Sequence, residues 1–135
     1  MGRIEDRFAK LKEENKKALI GFITAGDPDL KTTADLIKEM ENKGADLIEL
    51  GIPYSDPVAE GPVIQRANER ALKNKIKIGD IMNMVGEIRK TTQVPLLYLL
   101  YFNCILRYGP ERFFKDCSLN GIDGLIIPDL PYEEK

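Results

Sequence analysis

Residues 46–50 read as a strand, in which the run Leu47-Ile48-Glu49-Leu50-Gly51 is apolar but for one charge at its centre, Glu49. In a strand, Leu47, Glu49 and Gly51 share one face while Ile48 and Leu50 share the other. The two large aliphatics belong under covering helices, so Glu49 points away from them, near the strand's C-terminal end. A carboxylate partly withdrawn from water there keeps its proton to higher pH and becomes able to give and take one near neutrality. The plainer reading is a glutamate paired with a Lys or Arg that closes the end of the sheet. Position alone leaves both readings open.

Eleven residues on, Glu60 stands in the run Tyr54-Ser55-Asp56-Pro57-Val58-Ala59-Glu60-Gly61-Pro62. A loop anchored by prolines and running into a helix start can bring this second carboxylate back over the strand end. It can equally be a surface loop whose acids answer the dipole of the following helix. The chain contains no histidine. Acid–base work therefore falls to carboxylates, Lys or Tyr, and Ser-His-Asp, Cys-His and His-ligated zinc chemistry are excluded for these residues.

The elements around Glu49 follow from periodicity. Ile4, Phe8 and Leu11 predict an amphipathic helix over residues 3–14. Residues 18–23 read as a short strand ending at Thr24-Ala25-Gly26-Asp27-Pro28, and Ala34, Leu36, Ile37 and Met40 mark a helix that ends at Gly44. After the Glu49 strand, Pro62 suits the first turn of a helix with Ile64, Ala67, Ala71 and Leu72 on its apolar face. Asp80 is placed as the cap of a further helix carrying Ile81, Met84, Val85 and Ile88. Residues 96–100 form a third strand, Gly109-Pro110 opens a helix with Phe113, Phe114 and Cys117, and residues 124–127 form a fourth strand. Strands alternating with helices imply parallel pairing through right-handed crossovers, in a barrel or a doubly wound sheet. Thr24-Ala25-Gly26-Asp27-Pro28 lacks the three-glycine spacing of a dinucleotide loop, which favours the barrel.

The 135 residues suffice for one domain, and a net charge of −2 without long runs offers no stripe for nucleic acid and no polybasic patch for a membrane. The longest apolar stretch, residues 95–102, is well short of the roughly 20 residues that span a bilayer. The N-terminal residues lack the apolar core of a secretory signal. Cys104 and Cys117 match no metal or redox spacing. A cytoplasmic protein with reduced thiols is expected.

The long run Glu49-Leu50-Gly51-Ile52-Pro53-Tyr54-Ser55-Asp56-Pro57-Val58-Ala59-Glu60-Gly61-Pro62-Val63-Ile64-Gln65 resembles the signature of the tryptophan synthase alpha chain family. Residues 18–28, 95–103 and 123–131 are similar to that family's first, third and fourth strands with their loops. The resemblance implies the N-terminal half of a parallel (β/α)8 TIM barrel, about four strands with an extra N-terminal helix, as a single partial domain over residues 1–135. It implies a carbon–carbon lyase of tryptophan biosynthesis, cleaving indole-3-glycerol phosphate to indole and glyceraldehyde 3-phosphate in a retro-aldol reaction without metal or cofactor. The family's catalytic glutamate falls on Glu49, which would protonate the indole ring carbon and take the proton of the glycerol hydroxyl. The second acid, usually Asp, falls on Glu60, one methylene longer, where it would bind the indole N–H.

By the same resemblance Phe22, Leu99, Tyr101 and Ile126 line the indole pocket, although any barrel core would hold such residues. Pro53, Asp56, Asn103 and Pro131 fall on the surface that meets a tryptophan synthase beta chain in an alpha2beta2 complex, whose pyridoxal phosphate belongs to the beta chain. Barrel phosphate sites come from the loops after strands seven and eight. The resemblance places those loops, and a tyrosine acid/base, in a second half beyond these four strands. Two expectations follow for the chain as it stands: self-association or pairing through its open edges, and the alternative of a non-catalytic half-barrel that folds or docks on a partner chain.

Overall fold

The computed structural model describes residues 2–54 and 61–130. In chain order the elements are α1 (Arg3–Glu13), β1 (Ile20–Thr24), α2 (Leu30–Asn42), β2 (Leu47–Gly51), α3 (Pro62–Leu72), α4 (Ile78–Ile88), β3 (Leu96–Leu99), α5 (Phe102–Tyr108), α6 (Pro110–Asn120) and β4 (Gly124–Ile126). The four strands form one sheet in the order β1-β2-β3-β4, and every pairing is parallel. These four strands with their covering helices are half of an eight-stranded α/β barrel.

Local chemistry sets the helix ends. The Asp29 carboxylate accepts the Thr32 N–H at 2.7 Å and starts α2. Pro62 and Pro110 occupy first-turn positions of α3 and α6, where a missing N–H costs nothing. Gly121 ends α6 in a left-handed conformation, φ 85°. Asp80 departs from its predicted place. It sits in the first turn of α4, three residues past the cap Lys77, and its carboxylate reaches back to the Lys77 N–H at 3.0 Å.

Two other expectations are corrected. β1 begins at Ile20 and runs through Thr24, because Asp46 already takes the Leu19 N–H at 2.7 Å and tethers the residues before the strand. The stretch after Leu99 turns into α5, a helix absent from the sequence reading. Its first N–H, on Phe102, donates to the Asp129 carboxylate at 2.8 Å, a partner 27 residues away.

One face of the sheet is finished. Ile48, Leu50, Leu96, Tyr98 and Leu100 are buried under Ile37, Ile81, Met82, Val85, Ile105 and Phe113 of the helices. Each fully buried aliphatic of this kind contributes about 1.5–3 kcal/mol. Not every predicted apolar position joins the core: Phe8, Leu36 and Phe114 are exposed, while Met82 is buried.

Carboxylates hold the N-terminal end of the sheet. Asp46, just before β2, accepts from the Leu19 N–H and from the Arg7 guanidinium of α1. Asp123, just before β4, accepts from Arg3, Arg89 and the Leu96 N–H. The Leu19 N–H is the main cause that holds the Asp46 carboxyl below its ordinary 3.8, burial opposes it, and Arg7 adds to the lowering. With the folded value below the unfolded one, this stabilisation is complete above the unfolded value. It is lost as pH falls through 3.8 toward the folded value. Asp46→Asn is therefore expected to flatten the pH dependence of the urea midpoint below about pH 5. An acid limb of unchanged steepness in the variant would assign it to other groups.

Candidate functional site

The second face of the sheet carries the site. Register aligns Phe22, Glu49, Leu97 and Gly124 in one row across the four strands, and Thr24, Gly51, Leu99 and Ile126 in the next row toward the C-terminal ends. Side chains of both rows point away from the helices that cover Ile48, Leu50, Leu96 and Tyr98 on the other face, while Ile4 of α1 reaches the Gly124 end of the first row. Phe22, Leu99 and Ile126 thus share a face with Glu49.

Glu49 is half-buried amid fully buried neighbours on both sides. Among the described residues it has no hydrogen-bond or ion-pair partner, whereas the carboxylates at the opposite end are tied by arginines. Among the described residues no Lys or Arg pairs with it, and it stands two residues from the C-terminal end of its strand.

Gly51 makes room beside it. A Cβ built at Gly51 would lie 2.6 Å from Cζ and 3.0 Å from Cε2 of Phe22, so the Phe22 ring lies across the glycine. Gly51→Ala is expected to cost about 1–3 kcal/mol by overpacking, read from urea unfolding. Phe22→Leu in the same chain should return part of that cost through coupling of the two contacts. Additive effects of the two substitutions would show that the ring does not rest there.

Tyr101 is buried and lies past the end of β3, as the residue that precedes α5. Its ring meets Tyr54 with centroids 5.2 Å apart. The Asn103 side-chain amide donates to the Tyr54 hydroxyl at 3.4 Å. Tyr54, which the sequence reading did not single out, therefore joins the segment after β2 to α5. It brings Pro53 and Asn103, both predicted at a partner surface, to one end of the sheet. Pro53 and Tyr54 also line a cavity of about 700 Å³ with Ile76, Asp80, Cys104 and Arg107. Glu49 is not among the residues that line it. Glu60, Asp56 and Pro131 lie outside the described residues.

The two cysteines are buried and unpaired. Burial raises both thiols, and Cys117, near Asp116, is pushed up to about 12. They are inert packing groups near neutral pH. No helix among the described residues is long and apolar enough to cross a membrane.

Parallel strands with outer helices, and a carboxylate without a partner among the described residues near the C-terminal strand ends, form one half of a parallel α/β barrel. A family model of the tryptophan synthase alpha chain matches residues 8–135. The alpha chain of Clostridium acetobutylicum is 56% identical over 133 residues, covering 98% of this chain and 51% of that protein. That of Caldanaerobacter subterraneus is 57% identical over 135 residues, covering 100% and 52%. The crystal structure of the alpha chain from Legionella pneumophila superposes with a TM-score of 0.94 at 47% identity, over 99% of this chain and 50% of that one. A tryptophan synthase complex from Pyrococcus furiosus gives 0.82 at 38% identity, over 87% and 48%. This chain belongs to the tryptophan synthase alpha chain family, and it spans about half the length of the relatives it matches.

Proposed function

We propose that this chain supplies the acid–base half of a lyase that cleaves indole-3-glycerol phosphate to indole and glyceraldehyde 3-phosphate, a step of tryptophan biosynthesis. The observation that carries the reading is the unpaired, half-buried Glu49 on the open face of β2, in a chain of this family. Glu49 protonates the ring carbon at which the side chain leaves and takes the proton of the glycerol hydroxyl, so that the carbon–carbon bond breaks as the aldehyde forms. One carboxylate serves both steps in turn. Glu60 holds the indole N–H and offsets positive charge that develops on the ring. Phe22, Leu99, Tyr101 and Ile126 pack against the indole.

The reaction as proposed needs no metal or cofactor. The phosphate is held by loops of the barrel's second half, which these four strands do not include. The partner is a tryptophan synthase beta chain, met through Pro53, Asp56, Asn103 and Pro131 in an alpha2beta2 assembly. A tryptophan synthase α2β2 complex is described for Pyrococcus furiosus, whose chain superposes on this one at 38% identity. The proposed setting is the cytoplasm.

The test is indole release from indole-3-glycerol phosphate by this chain completed with the C-terminal half of the Clostridium acetobutylicum relative. Release that depends on Glu49 supports the reading. Release from the completed barrel that survives Glu49→Gln removes it.

A further inference from the structure

α3 buries little apolar bulk. Its buried side chains are the short ones of Ala67, Asn68 and Ala71, while Val63 is 71% exposed and Ile64 and Leu72 are half-buried. α4, of the same length, buries Ile81, Met82, Val85 and Ile88. Apolar stabilisation scales with the area removed from water, so short side chains fix the seat of a helix less firmly than long aliphatics do.

Polar ties at the C-terminal end of α3 add to that seat. The Arg70 guanidinium donates to both carboxylate oxygens of Asp27, from Nε at 2.8 Å and from Nη2 at 2.9 Å. Just past the helix, the Asn74 side-chain amide donates to the Pro28 carbonyl. Ile76 closes on Gly26, where an added Cβ would lie 2.3 Å from Ile76 Cδ1. All three partners belong to the loop that leaves β1 at its C-terminal end. That loop is itself fixed, because the Ala25 N–H donates to the Gly51 carbonyl and the Gly26 N–H to the Thr33 hydroxyl, both at 2.9 Å. Contacts therefore run from β2, the strand of Glu49, through the loop after β1 to α3.

The plainer account of Asp27–Arg70 is a surface ion pair of little consequence. Its geometry sets it apart from such pairs. Lys43–Glu39 and Lys90–Glu87 each join neighbours on one exposed surface, whereas Asp27–Arg70 is a two-bond fork between elements 43 residues apart. The Asp27 side chain is only 17% exposed.

We propose that Asp27 and Arg70 are positioning residues, a role that rests on the lyase reading above. Their fork seats α3 on the loop after β1. In sequence Glu60 precedes Pro62, the first residue of α3, by two positions, so the seat of α3 governs how the second acid stands against Glu49. Neither residue of the pair needs to touch substrate.

The test uses the barrel completed with the C-terminal half of the Clostridium acetobutylicum relative. Arg70→Met keeps the side-chain stem and removes the fork. Hydrogen exchange of the α3 amides should quicken by about fivefold, with α2 and α4 unchanged. Indole release should fall by about ten- to a hundredfold in kcat with a smaller change in KM, because alignment is lost rather than binding. Adding Asp27→Asn should cost nothing further, since the two side chains act as one contact. In a Glu60→Gln background Arg70→Met should cost less than about threefold, since the group it positions is already gone. Glu87→Gln, which breaks the exposed pair with Lys90, is the control and should change neither measurement. Unchanged exchange in α3 overturns the seating. A parent-like kcat in Arg70→Met, or its full loss repeated in the Glu60→Gln background, overturns the positioning role. A completed barrel whose indole release is absent or independent of Glu49 removes the lyase reading instead, and α3 exchange then still decides whether the pair seats the helix.

Discussion

Glu49→Gln in the completed barrel is expected to lower indole release by about 10²–10⁴-fold, the usual contribution of one positioned acid–base group. The substitution keeps the shape of the side chain and removes only its ability to exchange a proton. Glu49 makes no ion pair or hydrogen bond among the described residues, so its charge supports nothing else in the fold. The urea midpoint should therefore stay within about 0.5 kcal/mol of the parent, as for a substitution that breaks no buried contact. Loss of kcat and of kcat/KM by the same factor is expected, because proton transfer is made in the transition state and not on binding. A fall in activity matched by a fall in stability would return Glu49 to a structural role. Activity retained within about tenfold would place the proton transfer on another group, with Glu60 the first to examine.

The face that Glu49 occupies was legible because alternation in residues 47–51 separates two large aliphatics from one charge, and the helices do cover those aliphatics. Its freedom from a partner was not legible. Whether a strand glutamate meets an arginine depends on elements far away in sequence, and here Arg7 goes to Asp46, Arg3 and Arg89 go to Asp123, and Arg70 goes to Asp27. α5 escaped for a similar reason. Residues 100–108 are apolar enough to extend a strand, and the acceptor for the Phe102 N–H comes from Asp129 beyond β4. Periodicity also overstated α1 and α6. Phe8 and Phe114 share the spacing of core residues but stay exposed, since these helices meet the sheet over a narrower stripe than their apolar faces span. The glycines tell the opposite story. Gly51 is required by the Phe22 ring, a contact between β1 and β2 that no local pattern announces.

The largest expected loss of stability comes from the end of the sheet opposite Glu49. Asp123 receives Arg3 at 3.0 Å, Arg89 at 2.8 Å and the Leu96 N–H at 2.9 Å. Arg89 in turn donates to the Gly121 carbonyl at 2.8 and 3.0 Å and to the Val94 carbonyl at 2.6 Å. Both side chains of the Arg89–Asp123 pair are 9% exposed. Asp123→Ala leaves the Arg89 charge nearly buried without its carboxylate, and the expected cost is about 3–5 kcal/mol. A domain of this size holds only about 5–15 kcal/mol in total, so the variant should unfold at a much lower urea concentration. Arg89→Lys should recover little of the loss from Arg89→Ala, because one ammonium cannot serve two carbonyls and a carboxylate that a planar fork reaches together. A double variant, Arg89→Met with Asp123→Leu, removes both charges and should be markedly more stable than Asp123→Ala alone. If all four variants melt alike, the pair acts only as packing. If Asp123→Ala costs under about 1 kcal/mol, water reaches the pair and the clamp is a surface ion pair. Either way the effect should leave the chemistry proposed for Glu49 in the completed barrel untouched in the surviving folded fraction, because barrel chemistry sits at the C-terminal strand ends while these aspartates hold the N-terminal ones.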